Sequence, residues 1–200
     1  MATSQDGFVF KHKKHGLWVY QSRMLSRYRW LVNGKPPQMA ANSNLHQHSW
    51  LGYYIASPAN AKNTGFDEKN PAQQTIELRL SRQVGPGMHE DVDVTNFSRF
   101  STSIRLELEV ESDFADPKEN GWRRQKGGLR SDWRSAIDSE AELTFDYRAA
   151  HKYDHQGNQG IAHLHRGIRL LLHYAGSRPR YSGKKIRFKL HLDPGENWHA

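Results

Sequence analysis

The sequence predicts an all-β protein: an antiparallel β-sandwich of about ten or eleven strands, in a single domain spanning residues 1–200. The strongest observation is residues 104–111, IRLELEVE, where four aliphatic residues alternate with one arginine and three glutamates. Strict alternation is typical of a strand with one buried face and one face toward water or charged neighbours. Similar apolar or alternating segments recur between Gly, Pro and Asn turn signals, and none has a convincing helical period. Together these patterns favour a sandwich.

Eleven segments are predicted as strands because they alternate or are rich in aromatic and β-branched residues. They are residues 8–10, 17–20, 27–32, 50–56, 75–81, 92–96, 104–111, 129–133, 141–147, 168–174 and 186–192. The first two flank a basic cluster and predict a hairpin. The fifth, sixth and seventh follow closely and predict an antiparallel meander at the centre of a sheet.

Turn and loop signals separate these segments. Asn33-Gly34 predicts a tight turn, and the prolines after it stop direct pairing. Residues 24–26 are predicted as a bend and residues 149–160 as a polar loop. Residues 57–74 and 116–139 are predicted as a long loop and an irregular region. Residues 193–200 contain a turn and then an apolar residue, so we expect a further strand there and a chain that stops inside, or just before, something that continues.

The composition is polar for a free-standing globule, with 36% hydrophobic residues and a mean hydropathy of −0.87. Alternating strands can still form a core, because only one face of each must be apolar. No apolar run approaches the roughly 20 residues of a membrane helix, and the first residues lack the apolar region of a signal peptide. The absence of cysteine excludes disulfides and thiolate chemistry. We expect a soluble cytoplasmic protein without a membrane partner.

The formal net charge of +8 raises the alternative of a nucleic-acid-binding protein. The basic residues are scattered, however, and they are denser only at residues 11–15, 123–126 and 178–185. We therefore expect no specific nucleic-acid partner. A stand-alone basic protein that binds nucleic acid or another polyanion stays open as the second hypothesis.

Two His-x-His pairs are candidate metal ligands. His46 with His48, and His163 with His165, would each share a strand face. A third ligand would have to come from elsewhere, and histidine is frequent in this chain. We interpret these histidines as surface or packed residues and predict no metal and no cofactor.

Asp113 and Asp116 flank Phe114 at the end of the central alternating segment. Paired carboxylates can hydrolyse glycosidic bonds, but only when they lie on opposite sides of the bond with separated pKa values. A spacing of three at a strand end gives no reason to expect that arrangement. We predict no catalytic residue, and we expect these acids, with Glu90, Asp91 and Asp93, to bind loop amides or pair with arginines.

Six tryptophans offer rings that could stack on sugars. Trp18, Trp30 and Trp50 lie in predicted strands and are expected in the core. The other three lie in loops or near a strand end and are the candidates for glucan contact: Trp122, Trp133 and Trp198.

Several segments together resemble one family. Residues 23–28, RMLSRY, followed by residues 32–37, VNGKPP, are similar to the opening signature of the N-terminal domain of bacterial-type glycogen debranching proteins. Further similar blocks, in the same order, are residues 80–84, 87–92, 94–97, 113–116 and 192–198. The set covers nearly all of the chain, and it is specific as a set although no single block is.

Two positions depart from the family pattern. Gln21-Ser22 stands where the family usually has Asp-Thr, and Pro117-Lys118-Glu119 replaces an apolar-aromatic-Glu sequence after the acids. Any role of those family positions at a domain interface or an active-site mouth is therefore not carried over to this chain.

The resemblance implies a supersandwich-like domain that packs against a downstream helical-toroid catalytic domain of an amylo-α-1,6-glucosidase-like glycoside hydrolase. The catalytic carboxylates of that family belong to the toroid, so the chain is expected to be a non-catalytic scaffold, with α-glucan as a second candidate partner. The residues expected to matter, for loop and interface architecture, are Arg23, Asn33, Asp113, Phe114 and Asp116.

Overall fold

The computed structural model describes residues 1–10, 12, 14–58, 75–117, 127–135, 140–174 and 176–200. Within these ranges there are fourteen strands and no helix, which confirms the all-β prediction. The described residues therefore contain no helix that could span a membrane. The strands are β1 Leu17–Val19, β2 Ser22–Leu25, β3 Arg27–Val32, β4 Gln38–His46, β5 Ser49–Ala56, β6 Ile76–Val84, β7 Met88–Asn96, β8 Thr102–Glu111, β9 Gly127–Ser135, β10 Glu140–His155, β11 Asn158–His173, β12 Arg180–Ser182, β13 Lys185–Leu192 and β14 Asn197–His199.

Two antiparallel sheets form the sandwich. One has the order β14-β7-β6-β5-β4 and the other has the order β12-β13-β8-β3. Their buried side chains belong to a single core, to which Leu78 and Val94 contribute from the first sheet and Leu106 and Ile186 from the second. Apolar residues at every second position make one face of each strand apolar. The apolar faces of the two sheets pack against each other, and the burial of this surface stabilises the sandwich.

The alternating segment lies at the centre of the second sheet as β8. Its apolar residues enter the core, as predicted, but Glu107 and Glu109 on the other face are buried as well. Arg29 of β3 places a guanidinium nitrogen 2.6 Å from a Glu109 oxygen, and Arg187 of β13 places one 2.9 Å from a Glu107 oxygen. The flanking strands thus cover the acidic face with cations, since cross-strand neighbours of opposite charge attract.

The predicted meander is wrong at its last step. Strands β6 and β7 pair with each other, but β8 pairs with β3 and β13 in the opposite sheet. The chain crosses over after Asn96, whose fully buried amide donates hydrogen bonds to the carbonyls of Phe100 and Leu192, each 2.9 Å long. Alternation in sequence identifies a strand but not the sheet to which it belongs.

A third sheet, with the order β11-β10-β9, packs against the sandwich. Its two long strands form a hairpin that turns at Gln156 and Gly157, whose φ angles are +51° and +81°. The prediction of a polar loop over residues 149–160 is therefore wrong. Both faces of the hairpin are exposed beyond Ala149, so polar residues occupy both and the alternation that marks a half-buried strand is lost.

Two predictions near the N-terminus are also wrong. Strand β1 pairs with β2 rather than with residues 8–10, and Val9 forms only an isolated bridge with Tyr28. The predicted bend at residues 24–26 includes the end of β2, where Leu25 is buried. The hairpin turns at Tyr20 and Gln21, which both have positive φ although neither is a usual turn residue.

The remaining elements are mostly as expected. The strand predicted at residues 129–133 is β9, and the one expected near the end of the sequence is β14, which pairs with β7. The exposed edge strand β4 was not predicted, because few of its side chains are buried and no apolar alternation results. Strand β12, which is three residues long, was not predicted. The long loop predicted at residues 57–74 lies almost entirely outside the described residues.

Candidate functional site

Arg23 and Asp113 meet at one end of the sandwich. Arg23 lies in β2, and its Nε donates a 3.0 Å hydrogen bond to Asp113 Oδ1 just after β8, while Nη2 contacts the other carboxylate oxygen. The backbone N–H of Arg23 donates to the carbonyl of Ala115 over 2.9 Å. This bidentate pair fixes the N-terminal hairpin to the end of β8, because the planar guanidinium fork matches a carboxylate.

Phe114 extends this corner to the third sheet. Its ring is buried and stacks on Tyr147 of β10, with centroids 5.8 Å apart. Its carbonyl accepts a 3.0 Å hydrogen bond from Nη1 of Arg166 in β11. The backbone here is left-handed, with φ of +50°, a conformation that costs a non-glycine residue about 1–2 kcal/mol. The contacts with Tyr147 and Arg166 hold Phe114 in this conformation.

The sequence-predicted set thus divides into two places. Arg23, Asp113, Phe114 and the half-buried Asp116 lie at the corner. Asn33 lies at the opposite end of β8, where its side-chain oxygen accepts a 2.9 Å hydrogen bond from the N–H of Arg105. Asn33 and Gly34 have φ angles of +53° and +82°, which confirms the predicted tight turn.

The three glucan-contact candidates have different surroundings. Trp198 lies in β14 and is only 7% exposed, and the centroid of its ring is 5.1 Å from that of Phe188. A ring this deeply buried has no face to offer a sugar, so we do not carry this prediction further. Trp122 lies outside the described residues. Trp133 is half-buried in β9, and it is the candidate that the structure places beside an open cleft.

Of the three tryptophans expected in the core, one is buried and two are half-buried. Trp30 is buried, and Trp50 is half-buried and packs against the core. Trp18 is also half-buried, and the guanidinium carbon of Arg23 lies 5.6 Å from the centroid of its ring. The indole of Trp18 therefore belongs to the surroundings of the corner.

The cleft beside Trp133 has a volume of about 360 Å³. It lies where the edge strand of the third sheet, β9, approaches the edge strand of the second sheet, β12. The centroids of the Trp133 and Tyr181 rings are 5.8 Å apart, and the ring planes are inclined by 30°. Arg178 and Arg180 also line the cleft, and Pro179 between them is buried.

The histidine pairs do not form a metal site in the described part of the chain. The rings of His46 and His48 stack with centroids 5.7 Å apart, and His165 contacts Asp146 on the exposed face of the third sheet. No group of three or more potential ligands comes together among the residues that the structure describes.

Comparison with protein families decides what kind of domain this is. The family described as the N-terminal domain of some glycogen debranching enzymes matches residues 1–200. The chain belongs to this family. Comparison with curated proteins gives no match, and neither does comparison with solved structures. Membership implies a catalytic partner domain in the parent enzyme.

Sequence reasoning missed the main polar cluster of this glycogen-debranching N-terminal domain. Between the two sheets, Glu90 of β7 accepts hydrogen bonds from the hydroxyl of Tyr28 over 2.7 Å and from Nε1 of Trp30 over 2.8 Å. Its second oxygen accepts a 2.6 Å hydrogen bond from Nε of Arg82. Nη2 of Arg82 is equally close to that oxygen but is not aligned for a hydrogen bond. Glu90 therefore joins strands of both sheets.

The guanidinium of Arg82 is the cationic half of this cluster. It lies between two aromatic rings, 5.5 Å from the centroid of Tyr28 and 5.0 Å from that of Trp50. Burial acts to lower the pKa of Arg82, but the carboxylate of Glu90 outweighs it and raises that pKa. Burial, and then the charge of Glu90, raise the pKa of Tyr28 well above its ordinary value. The cluster is thus an ion pair bound by a neutral phenol.

One signal could have located this cluster. Arg82 and Glu90 each lie in a block that resembles the family. In addition, Arg82 occupies the apolar face of its strand, two positions after Leu80, and a charged residue is unusual at a position of that kind. The expectation that these acids pair with arginines is confirmed for Glu90, Asp93 and Asp113, whose partners are Arg82, Arg79 and Arg23 respectively. Asp91 instead contacts the ring of His89. The partners themselves could not be assigned, because the opposing residues are set by sheet packing.

Proposed function

We propose that this chain is a non-catalytic β-sandwich module of a cytoplasmic, amylo-α-1,6-glucosidase-like glycoside hydrolase. In this proposal it scaffolds a helical-toroid catalytic domain and contacts α-glucan. The observation that carries the proposal is that carboxylates of the domain are bound to cations within its own architecture. Membership in a family of N-terminal domains of glycogen debranching enzymes implies that catalysis belongs to a partner domain.

The electrostatics support a non-catalytic role. Glycoside hydrolysis needs one carboxylic acid that stays protonated near neutral pH, and therefore a raised pKa. Burial acts to raise the pKa of Asp93 and Glu109, but hydrogen bonds from His199 and Arg79 to the former, and from Arg29 and Lys185 to the latter, lower it. Such carboxylates stay ionised and serve as structural anions.

A loop at the crossing between the sheets supports the scaffold role. Phe97 and Phe100 expose their rings in this loop, and the buried Asn96 holds it in place. The N–H of Ser98 also donates a 3.0 Å hydrogen bond to the side-chain oxygen of Asn96. Exposed aromatic rings on a fixed loop are typical of protein interfaces, because they lose little conformational entropy on binding. We assign this loop to contact with the catalytic domain.

The test uses the native polypeptide isolated from its source cells. A mass well above 23.1 kDa, together with release of glucose from α-1,6 branch points, is expected if a catalytic domain is attached. In that protein, Phe97→Ser with Phe100→Ser should separate the unfolding transitions of the two domains in calorimetry. Ile161→Ser, at an exposed residue of the third sheet, is the matched control. A native mass of 23.1 kDa would refute the scaffold role.

The alternative is a stand-alone protein that binds a polyanion, and the net charge of +8 favours it. Against it, Arg23, Arg29, Arg82 and Arg187 already pair with carboxylates of the domain and contribute little free positive surface. Polyanion affinity would fall steeply with added salt, because counterions are released on binding. Affinity for a neutral α-glucan would be nearly independent of salt.

A further inference from the structure

The cleft between β9 and β12 combines the features of a carbohydrate-binding surface. Six residues line it: Trp133, Ser135, Arg178, Pro179, Arg180 and Tyr181. We propose that this cleft holds the α-glucan chain, with Trp133 and Tyr181 as stacking platforms and the two arginines as hydrogen-bond donors. The inference rests on the glucan contact in the proposed function, and it assigns that contact to one place.

The two rings are suited to stacking because each is half-buried. Trp133 and Tyr181 both pack against the core of the domain while also lining the cleft. A ring fixed in this way has little conformational entropy left to lose when a ligand covers its free side. The C–H bonds on one face of a glucosyl unit form an apolar patch, and such a patch covers an aromatic ring favourably.

The inclination of the rings suggests which glucan fits. Their planes differ by 30° and their centroids are 5.8 Å apart, so the two rings contact each other at an angle and do not form one flat surface. An α-1,4-linked glucan curves, and its successive units turn relative to one another. A β-1,4-linked glucan is extended and flat, and it suits coplanar rings. The geometry therefore favours the α-linked chain.

The polar groups of the cleft can bind sugar hydroxyls. Nε of Arg178 donates a 3.0 Å hydrogen bond to Oγ of Ser135, which fixes the guanidinium at the rim of the cleft. Pro179 is buried, so it anchors the backbone between the two arginines. A guanidinium presents several N–H groups in one plane and can donate to two neighbouring hydroxyls at once. A few placed polar groups around an aromatic surface are typical of small-ligand sites.

The experiment measures binding of maltoheptaose and of cellohexaose to the full chain by titration calorimetry, at low and at high salt. The variants are Trp133→Ala, Tyr181→Ala and Arg180→Gln. Tyr20→Ala, at an exposed ring in the β1–β2 turn, is the matched control. Thermal unfolding is recorded for each variant, and Tyr181→Ala and Arg180→Gln keep the test valid if Trp133→Ala does not fold.

We expect maltoheptaose to bind with little dependence on salt, and cellohexaose to bind at least tenfold more weakly. Trp133→Ala should reduce maltoheptaose affinity at least tenfold, Tyr181→Ala should reduce it severalfold, and Tyr20→Ala should leave it unchanged.

Three outcomes would overturn the inference. If maltoheptaose binds and the cleft variants bind it equally well, the cleft is the wrong place although the proposed glucan contact stands. If wild-type chain binds no maltoheptaose, both the inference and that contact fail, and only the scaffold role is left. If a polyanion such as heparin binds instead, with steep salt dependence that is lost in Arg180→Gln, the cleft is an anion site.

Discussion

Two arginine–carboxylate pairs hold different parts of this domain together. The Arg82–Glu90 pair lies between the two sheets of the sandwich, and each side chain is only 3% exposed. The Arg23–Asp113 pair lies at the end of the sandwich, with exposures of 12% and 16%. Both use the same chemistry, but the first joins elements inside the core and the second joins elements at its margin.

The difference in burial gives the pairs different roles. A desolvated ion pair offsets the cost of burying its charges only while both partners are present, so the loss of one partner affects the whole sandwich. The corner pair keeps some contact with water, which weakens the attraction but also lowers the penalty for breaking it. We therefore expect the inner pair to control global stability, and we expect the corner pair to control local order where the second sheet, the third sheet and the N-terminal hairpin meet.

Removal of Glu90 should have the largest effect. In Glu90→Ala the guanidinium of Arg82 stays buried without its anion, and Tyr28 and Trp30 lose their acceptor. Loss of one partner of a buried pair typically costs about 3–5 kcal/mol. Urea unfolding of the variant should show a free energy of unfolding lowered by that amount.

The control for this prediction replaces both partners. Glu90→Leu with Arg82→Met removes both charges, and it should recover part of the lost stability because no unpaired ion is left in the core. A loss below about 1 kcal/mol in Glu90→Ala would contradict the role of the cluster.

Asp113→Ala should have a smaller and more local effect. It removes the anchor between β2 and the end of β8, and it releases the loop that holds Phe114 at positive φ. We expect a loss of about 1–3 kcal/mol and faster amide hydrogen exchange around residues 113–116 than in the sandwich. Asp113→Asn, which keeps an acceptor, should lose less. An unchanged melting point with unchanged docking of the catalytic domain would contradict the prediction.

The two pairs also show what the sequence could predict. The strands that form the core carry a strong signal: alternation predicts β6, β7, β8 and β13, and aromatic and β-branched residues predict β3 and β5. Strand β4 and the distal halves of β10 and β11 are exposed on both faces, and nothing in their sequence distinguishes them from loops. Sequence therefore predicts a strand where one of its faces is buried, and it misses strands held only by backbone pairing.

The site was predictable in a similar way. The resemblance placed Arg23 and Asp113 in two separate blocks, and the structure joins them although they are 90 positions apart in the sequence. Neither the resemblance nor the residue pattern could predict that Tyr147 covers Phe114, or that Tyr181 lies beside Trp133, because these contacts depend on how the third sheet packs. Long-range packing of this kind leaves no periodic signal in either segment.

Acid titration should distinguish a third pair on the outer face of β8. Burial acts to raise the pKa of Glu109, but hydrogen bonds from Arg29 and Lys185 outweigh it and lower that pKa in the folded state. A lowered folded pKa contributes stability above the unfolded pKa of about 4.3, and this contribution is lost as the pH falls through the folded value. Glu109→Gln should therefore reduce the difference in unfolding free energy between pH 6 and pH 2. The expected reduction is about 1 kcal/mol, because the cationic partners Arg29 and Lys185 keep contact with water. The prediction would be contradicted if the unfolding free energy of the variant fell as much between pH 6 and pH 2 as that of the wild type.

The smallest effect is expected at a pair that is exposed on both sides. Asp132 accepts a 2.9 Å hydrogen bond from Nε of Arg134 in β9, but the two side chains are 62% and 77% exposed. In water the ionic attraction is offset by the entropy lost in holding two flexible side chains together, and such pairs contribute about 0–1 kcal/mol. Asp132→Asn should therefore leave urea unfolding nearly unchanged at physiological salt. A loss comparable to that of Asp113→Ala would mean that burial does not rank these pairs, and that the division between an inner and a corner pair is wrong.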